Sequence, residues 1–323
     1  MKTKKTKVTN AFINPAFTQD DLISGQSSYH CQRPPANEET DSTSRDHFRL
    51  GVELEVCFKH YELAETFRET PRNWYEMEND SSLNRGEAQG EIITLPLRTE
   101  DACNPEFWRP LCNELVRANA FSWDAGCCGL HVHASKCGLL RKVPEGIDAR
   151  GYNKNMDLPQ AALAKYFNDC ADAKRTAMLL YMYMVEDTEE AKRVFGREDG
   201  TLYRKVEDTA SGAQAVKTGL AALGSEALRS QDVTKKAKAA MPASHSCVVN
   251  ISNPDTVEFR QGRGSLRPER IAAICLFVTL FMRFCQKFSG QKRMTISRGM
   301  FLDYARKNCP VGHPLAFFLG TEH

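Results

Sequence analysis

The sequence lacks the local signals of several common protein classes. It contains no Gly-x-x-x-x-Gly-Lys-Ser/Thr loop, no Cys-x-x-Cys pair and no internal repeat. The missing loop excludes a P-loop nucleotide site, in which backbone amides and a lysine hold the phosphates. The 12 cysteines also have no regular spacing. This argues against a disulfide framework and favours reduced thiols in the cytoplasm.

Long apolar runs are missing as well. The longest covers residues 271–282, whereas a membrane-spanning helix needs about 20 apolar residues. We therefore expect a buried helix there and no membrane association. The first residues are rich in lysine and threonine and include no apolar stretch. No signal peptide is predicted from them, and the expected location is cytoplasmic.

The charge balance is close to neutral. A net charge of +2, with 41% hydrophobic and 26% charged residues, is typical of a soluble globular protein. Such a charge favours neither a nucleic-acid partner nor an acidic one, so we expect no nucleic acid to bind.

The first 47 residues are polar and carry few groups that could be buried. Residues 34–45 in particular combine proline with serine, threonine and acidic residues. This composition predicts a disordered or loosely ordered tail at 1–47, followed by one folded domain at 48–323. Four lysines near the start of the tail are interpreted as solvated rather than as an arm for nucleic acid or membranes. They are Lys2, Lys4, Lys5 and Lys7.

The folded domain shows strand patterns and helix patterns without regular alternation of the two. Strands are predicted at 48–58, 91–95 and 126–135, and at 245–250 and 256–260, where an Asn-Pro-Asp turn joins a pair. Helices are predicted at 105–120, from 163 to 184, and from 268 onward. Strand clusters flanked by helices indicate an α+β fold on an antiparallel sheet.

Three of the predicted strands carry two ionisable residues two positions apart. These pairs are Glu53 with Glu55, His131 with His133, and Glu258 with Arg260. Residues i and i+2 of a strand share a face. Placing such pairs where a half-buried strand normally has apolar residues is costly unless the face lines a site. Taken alone, a Glu-x-Glu strand is more often a solvent-facing edge, and Glu-x-Arg is usually a surface ion pair. A lone His-x-His is structural or solvated about half the time.

Together the acidic residues and an imidazole form a set of metal ligands. The carboxylates are Glu53, Glu55, Asp80, Glu91 and Glu258. Oxygen-rich sites with one nitrogen suit Mg²⁺ or Mn²⁺ better than zinc. Converging carboxylates repel one another unless a cation is present, and one or two divalent ions could also bridge the phosphates of a nucleotide. The planar fork of Arg260 would bind phosphate or carboxylate oxygens.

Four of these segments resemble the signatures of the amidoligase family, which belongs to the glutamine synthetase-like carboxylate–amine ligases. They are Gly51–Glu55, Asp80–Leu83 with Gly90–Glu91, Gly129–Ser135, and Asn253–Arg260. Residues 263–269, which open a long apolar helix, are similar to the family too. The resemblance runs from about residue 48 to residue 288 in the family's order.

The resemblance implies a glutamine synthetase-like fold, a curved antiparallel sheet or half-barrel with flanking helices. It implies ATP above two Mg²⁺ or Mn²⁺ ions, with Glu53 and Glu55 giving one ligand to each ion. The further ligands that it implies are Asp80, Glu91, His131 and Glu258. His131 is favoured over His133 as the ligand.

The resemblance also implies an activity, an ATP-dependent carbon–nitrogen ligase that forms an amide through an acyl phosphate. Glu258 and Arg260 would be catalytic, with Arg260 also meeting the transferred phosphate. Arg197 and Arg204 are candidates for binding ATP, although they are equally typical of surface arginines.

Small-molecule, peptide and protein carboxylates and amines all remain possible substrates, since no segment matches an ammonia-binding loop. Two alternatives stay open, a nucleotide- or metal-binding module without ligase turnover and a metal-dependent hydrolase. The hydrolase requires both His131 and His133 on one ion.

Overall fold

A computed structural model describes most of the domain predicted at 48–323. The described residues are 48–70, 74–79, 83, 88–122, 128–149, 151, 158–196, 228–229, 248–289 and 295–321. The predicted tail at 1–47 lies outside these residues.

The domain is built on one open, seven-stranded antiparallel sheet. Its strands follow the order β2-β3-β1-β5-β8-β7, and β4 pairs with the end of β1. A separate two-stranded sheet is formed by β6 and β9. The strands are β1 Leu50–Phe58, β2 Tyr75–Glu78, β3 Ala88–Thr94, β4 Ala120–Phe121, β5 Gly129–Ser135, β6 Leu228–Arg229, β7 Val249–Asn250, β8 Thr256–Arg263 and β9 Thr295–Ile296. The predicted α+β fold on an antiparallel sheet is therefore confirmed.

Helices flank this sheet. They are α1 Tyr61–Glu69, α2 Thr99–Ala102, α3 Pro105–Arg117, α4 Gln160–Met184, α5 Glu189–Phe195, α6 Pro268–Ser289, α7 Met300–Asn308 and α8 Pro314–Leu319. A short 3₁₀ turn at Lys136–Leu139 follows β5. Helix α3 begins as the sequence predicts, because the Asn104 side chain accepts a hydrogen bond from the Glu106 amide and Pro105 occupies the first turn.

The short helices α1, α7 and α8 were not predicted. Each has nine residues or fewer and buries two or three apolar side chains. In α1, for example, these are Ala64 and Phe67. Two or three apolar positions are too few to establish a 3.6-residue period in the sequence.

One face of the sheet packs on the core, and α6 lies at its centre. Helix α6 contacts β5 and the helices α3, α4, α7 and α8. Rings from the sheet and the helices meet edge-on in this core, and Phe259 of β8 contacts Tyr181 of α4 and Phe281 of α6. Burying side chains of this size contributes about 1.5–3 kcal/mol each.

Helix α6 is also long and apolar enough to cross a bilayer by length and composition alone. Of its most apolar window, 83% is buried inside the protein. That burial is the property of a core helix, and it confirms the buried helix predicted at 271–282.

Candidate metal centre

The second face of the sheet carries the polar pairs predicted from the sequence. Alternate residues of β1 separate the two faces, since Val52, Leu54 and Val56 are buried in the core while Glu53 and Glu55 point the other way. Direct cross-strand partners share a face in an antiparallel sheet. The register pairs Glu53 with His131, Glu55 with Glu91, and His133 with Glu258. All six side chains consequently converge on one face of four adjacent strands.

A first group of donor atoms lies between β1, β3 and β5. The Nδ1 atom of His131 is 3.2 Å from Oε2 of Glu53 and 3.9 Å from Oε1 of Glu91. One donor atom from each of these three residues lies within 4.8 Å of the other two. This spacing could hold a metal ion.

A second group lies between β1, β5 and β8. The Nε2 atom of His133 is 2.9 Å from Oε1 of Glu53 and 3.6 Å from Oε1 of Glu258. These three residues also offer donor atoms within 4.8 Å of one another. Glu53 thus belongs to both groups, with Oε2 facing His131 and Oε1 facing His133.

Glu55 lies beside the first group, on the other side of the His131 ring. Its Oε1 is 3.7 Å from Nε2 of His131, and its Oε2 accepts a hydrogen bond from the Gly129 amide. A Cβ atom at Gly129 would lie 2.8 Å from Nε2 of His131. Glycine is favoured at this position because a side chain would displace the imidazole.

Glu258 is held from two sides. The Nδ2 amide of Asn250 donates to its Oε2 over 2.7 Å, and the Arg260 guanidinium contacts its Oε1. The Asn250 amide is itself oriented, because its Oδ1 accepts hydrogen bonds from the amide and the hydroxyl of Ser252. The side chain of Arg260 remains 30% exposed. It is therefore a cation at the border between the carboxylates and solvent.

The register between β5 and β8 shifts at this point. Leu130 pairs with Gly262 and Val132 pairs with Phe259, so Arg260 and Gln261 both lie opposite His131. Gln261 is buried on the core side, where it accepts from the Tyr181 hydroxyl. Irregularities of this kind redirect side chains within a sheet and are frequent next to active sites.

The electrostatics of the centre favour a cation. Burial, together with the negative charges of Glu258 and Glu55, raises the pKa of Glu53 to about 8 against the opposing charge of Arg260. Burial also lowers the pKa of His133 well below its ordinary value, and the positive charges of Arg260 and Lys174 add to the effect. His133 is therefore neutral near pH 7, the form in which imidazole binds metals. A divalent ion would allow the carboxylates to ionise together.

The structure brings together most of the predicted site residues. Glu53, Glu55, Glu91, His131 and Glu258 converge, and Arg260 borders them. Three further predicted residues, Asp80, Arg197 and Arg204, lie outside the described residues.

Sequence reasoning gave too little weight to His133 and missed Asn250. His133 had an available signal, since it lies two positions from His131 in a strand and so shares its face. The sequence signal for Asn250 was weak, because it is only a polar residue in a predicted strand.

The donor set consists of carboxylate oxygens and imidazole nitrogens, which are ligands for divalent cations. The buried glutamates and histidines could therefore hold a metal ion. No protein-family model matches the chain, and the curated proteins give no significant match either.

Proposed function

We propose that this protein is an ATP-dependent carboxylate–amine ligase that uses Mg²⁺ or Mn²⁺. The observation that carries the proposal is the convergence of four glutamates and two histidines on one sheet face. Buried acidic residues at this density are costly without a cation. Their order along the chain is the order of the motifs that resemble the amidoligase family.

The fold that belongs to this proposal is the glutamine synthetase-like half-barrel. It is supported by the open antiparallel sheet, whose apolar face is covered by helices and whose other face carries the acidic cluster. In such an arrangement the metal ions and ATP would lie against the polar face, next to β1, β5 and β8.

The donor atoms form two groups that share Glu53, and we assign one ion to each group. The two histidines face different oxygens of Glu53, with His131 on one side and His133 on the other. Both rings also approach one common atom, since Nδ1 of His131 lies 3.8 Å and Nε2 of His133 lies 3.6 Å from Oε1 of Glu258. A hydrolase with both histidines on a single zinc ion is therefore the alternative, and one zinc ion per chain in a metal analysis would favour it. Glu53, Glu91 and His131 would hold one ion through Nδ1 of His131, while Glu53, His133 and Glu258 would hold the second. Glu55 faces the other nitrogen of His131, and we propose that it holds this ring in place.

When bound, the ions would neutralise charge on the β- and γ-phosphates of ATP. In the proposed reaction a substrate carboxylate oxygen bonds to the γ-phosphorus as the bond to ADP breaks. The amine nitrogen then displaces phosphate from the acyl carbon and loses a proton. Arg260, as the partly exposed cation beside Glu258, would bind the transferred phosphoryl oxygens, for which its planar fork is suited.

The test is a screen for metal-dependent ADP release across pools of carboxylates and amines, with mass-spectrometric capture of the amide. The Glu258→Gln variant should release no ADP above background. The matched control is Glu106→Gln on α3, an exposed glutamate that pairs with Arg109, and it should retain full turnover. Equal turnover in Glu258→Gln and wild type would overturn the proposal. Tight binding of ATP and Mg²⁺ without any product would favour a binding module instead.

A further inference from the structure

The two nitrogens of His133 face chemically different partners. Nε2 faces the carboxylates of Glu53 and Glu258, at 2.9 Å and 3.6 Å. Nδ1 lies 3.3 Å from the hydroxyl of Thr256. His131 differs, because both of its nitrogens face carboxylates. Of the two histidines of the centre, His133 is therefore the one in which one ring nitrogen faces a neutral hydroxyl.

Thr256 occupies a fixed place in the sheet. It is the first residue of β8 and pairs with Ser135 at the end of β5. Its side chain is buried, as is His133, with relative exposures of 4% and 3%. Because both groups are shielded from water, solvent does not compete for the contact between them.

Two buried lysines anchor the turn at residues 253–255, which immediately precedes Thr256. Lys174 on α4 donates to the carbonyl of Asn253. Lys136 donates to the carbonyl of Pro254 over 3.3 Å and to the Asp255 carboxylate over 3.2 Å. The backbone of Lys136 also donates to the carbonyl of Asp255. The residues immediately before Thr256 are thus held by contacts from two other elements.

We propose that Thr256 is a positioning residue that orients His133 so that Nε2 serves as a metal ligand. The inference rests on the metal centre of the proposed function and adds to it the group that fixes one ligand. Metal-binding histidines generally donate their other N–H to a partner that holds the ring and its tautomer. With an ion on Nε2, the proton of His133 lies on Nδ1 and is donated to Oγ1 of Thr256.

A hydroxyl suits this role because it can both accept and donate. Without an ion, the Thr256 hydroxyl can donate to Nδ1, while Nε2, which makes no well-aligned hydrogen bond, faces the carboxylates of Glu53 and Glu258. With an ion on Nε2, the direction of this bond reverses, because Nδ1 donates and the Thr256 hydroxyl accepts. Valine has the same shape as threonine but supports neither arrangement, whereas serine supports both.

The experiment is a titration of the full chain with Mn²⁺, followed through the electron paramagnetic resonance signal of the free ion. Thr256→Val should weaken one of two bound ions by about 10–100-fold, the loss typical of removing such a partner. The affected ion is the one held through His133, and the ion held through His131 should bind as in wild type. Thr256→Ser should restore both. Thr279→Val is the matched control, since Thr279 is a buried threonine on α6 whose hydroxyl contacts Cys103, and it should bind both ions normally.

Binding of both ions by Thr256→Val with wild-type affinity would overturn the positioning role and leave the ligase proposal intact. Equal weakening of both ions in Thr256→Val, without rescue in Thr256→Ser, would also overturn it, because a general loss of structure gives that result. Selective weakening with rescue would support the inference even if no substrate pair released ADP. The failure of the proposed activity is therefore distinguishable from the failure of this inference.

Discussion

Adjacent residues of β8 point to opposite faces of the sheet and meet opposite environments. Phe259 enters an aromatic cluster with Tyr181 and Phe281. Glu258, one position earlier, enters a cluster of glutamates and histidines. The same alternation runs through β1, where Leu54 lies in the core between Glu53 and Glu55.

The two faces have different roles, because the apolar face stabilises the fold and the polar face carries the candidate metal ligands. On the apolar face, burial removes hydrocarbon from water and stabilises the fold. On the polar face, burial raises the pKa of Glu53 and makes its ionised form unfavourable. Neutralising a polar-face glutamate should therefore lower activity and leave the fold intact. Truncating an apolar-face residue should lower stability and leave metal binding by the folded protein unchanged.

The largest effect is expected for Glu258→Gln. Loss of this carboxylate removes a donor from the second group and should lower metal-dependent ADP release by at least about 10²–10³-fold, as for removal of a charge-stabilising group. Thermal unfolding should stay close to wild type, because Asn250 can still donate to the new amide oxygen. Circular dichroism measures thermal unfolding, and ADP release measures activity on the same sample. A large loss of stability would contradict the expectation that the polar face contributes little to the fold.

Phe259→Ala tests the opposite face. We expect it to lower the free energy of unfolding by about 3–5 kcal/mol, through lost burial and a cavity beside Tyr181 and Phe281. The fraction that stays folded should bind Mn²⁺ as wild type does. Denaturant unfolding measures the first effect and a Mn²⁺ titration the second. Phe317→Ala, which truncates a ring that is 64% exposed on α8, is the control and should change stability little.

The pH dependence of stability should depend on Glu53. Its pKa is about 8 in the folded protein against an ordinary value of 4.5, so the folded state binds more protons than the unfolded state between these values. The contribution of Glu53 to stability is therefore fully present below about pH 4.5 and is lost as the pH rises to about 8. Its slope is at most about 1.4 kcal/mol per pH unit.

Two conditions should flatten this dependence. Saturating Mn²⁺ replaces the proton, and Glu53→Gln removes the titrating group. Denaturant unfolding at several pH values measures the slope, and Glu106→Gln should leave it unchanged. An identical slope in wild type and Glu53→Gln would show that Glu53 has an ordinary pKa.

A smaller effect is expected for Gly129→Ala. The new methyl group would lie 2.8 Å from Nε2 of His131, so the ring must shift. The affinity for the ion held through Nδ1 of His131 should then fall about tenfold, which corresponds to about 1.4 kcal/mol. Calorimetric Mn²⁺ titration checks this. Gly299→Ala is the control, because its methyl group would meet nothing closer than 4.0 Å. Unchanged affinity in Gly129→Ala would mean that His131 is not held at this distance from the strand.

The sequence supports the α+β fold and most of the site, because both depend on local alternation. Glu53 and Glu55 share a face by their spacing alone, and so do His131 and His133. The contacts between strands depend on register, which local spacing does not determine. The shift between β5 and β8 opposite His131 is set by tertiary pairing. For this reason the place of His133 beside Glu258 was not predicted, and the Asn250 contact was missed.

The central claim, that the polar face is a divalent metal centre, is tested most directly by equilibrium Mn²⁺ binding to the full chain. We expect two ions per chain in wild type, loss of one in Glu258→Gln, and two again in the Glu106→Gln control. Absence of bound Mn²⁺ in wild type at millimolar concentration, or identical binding in Glu258→Gln, would contradict it.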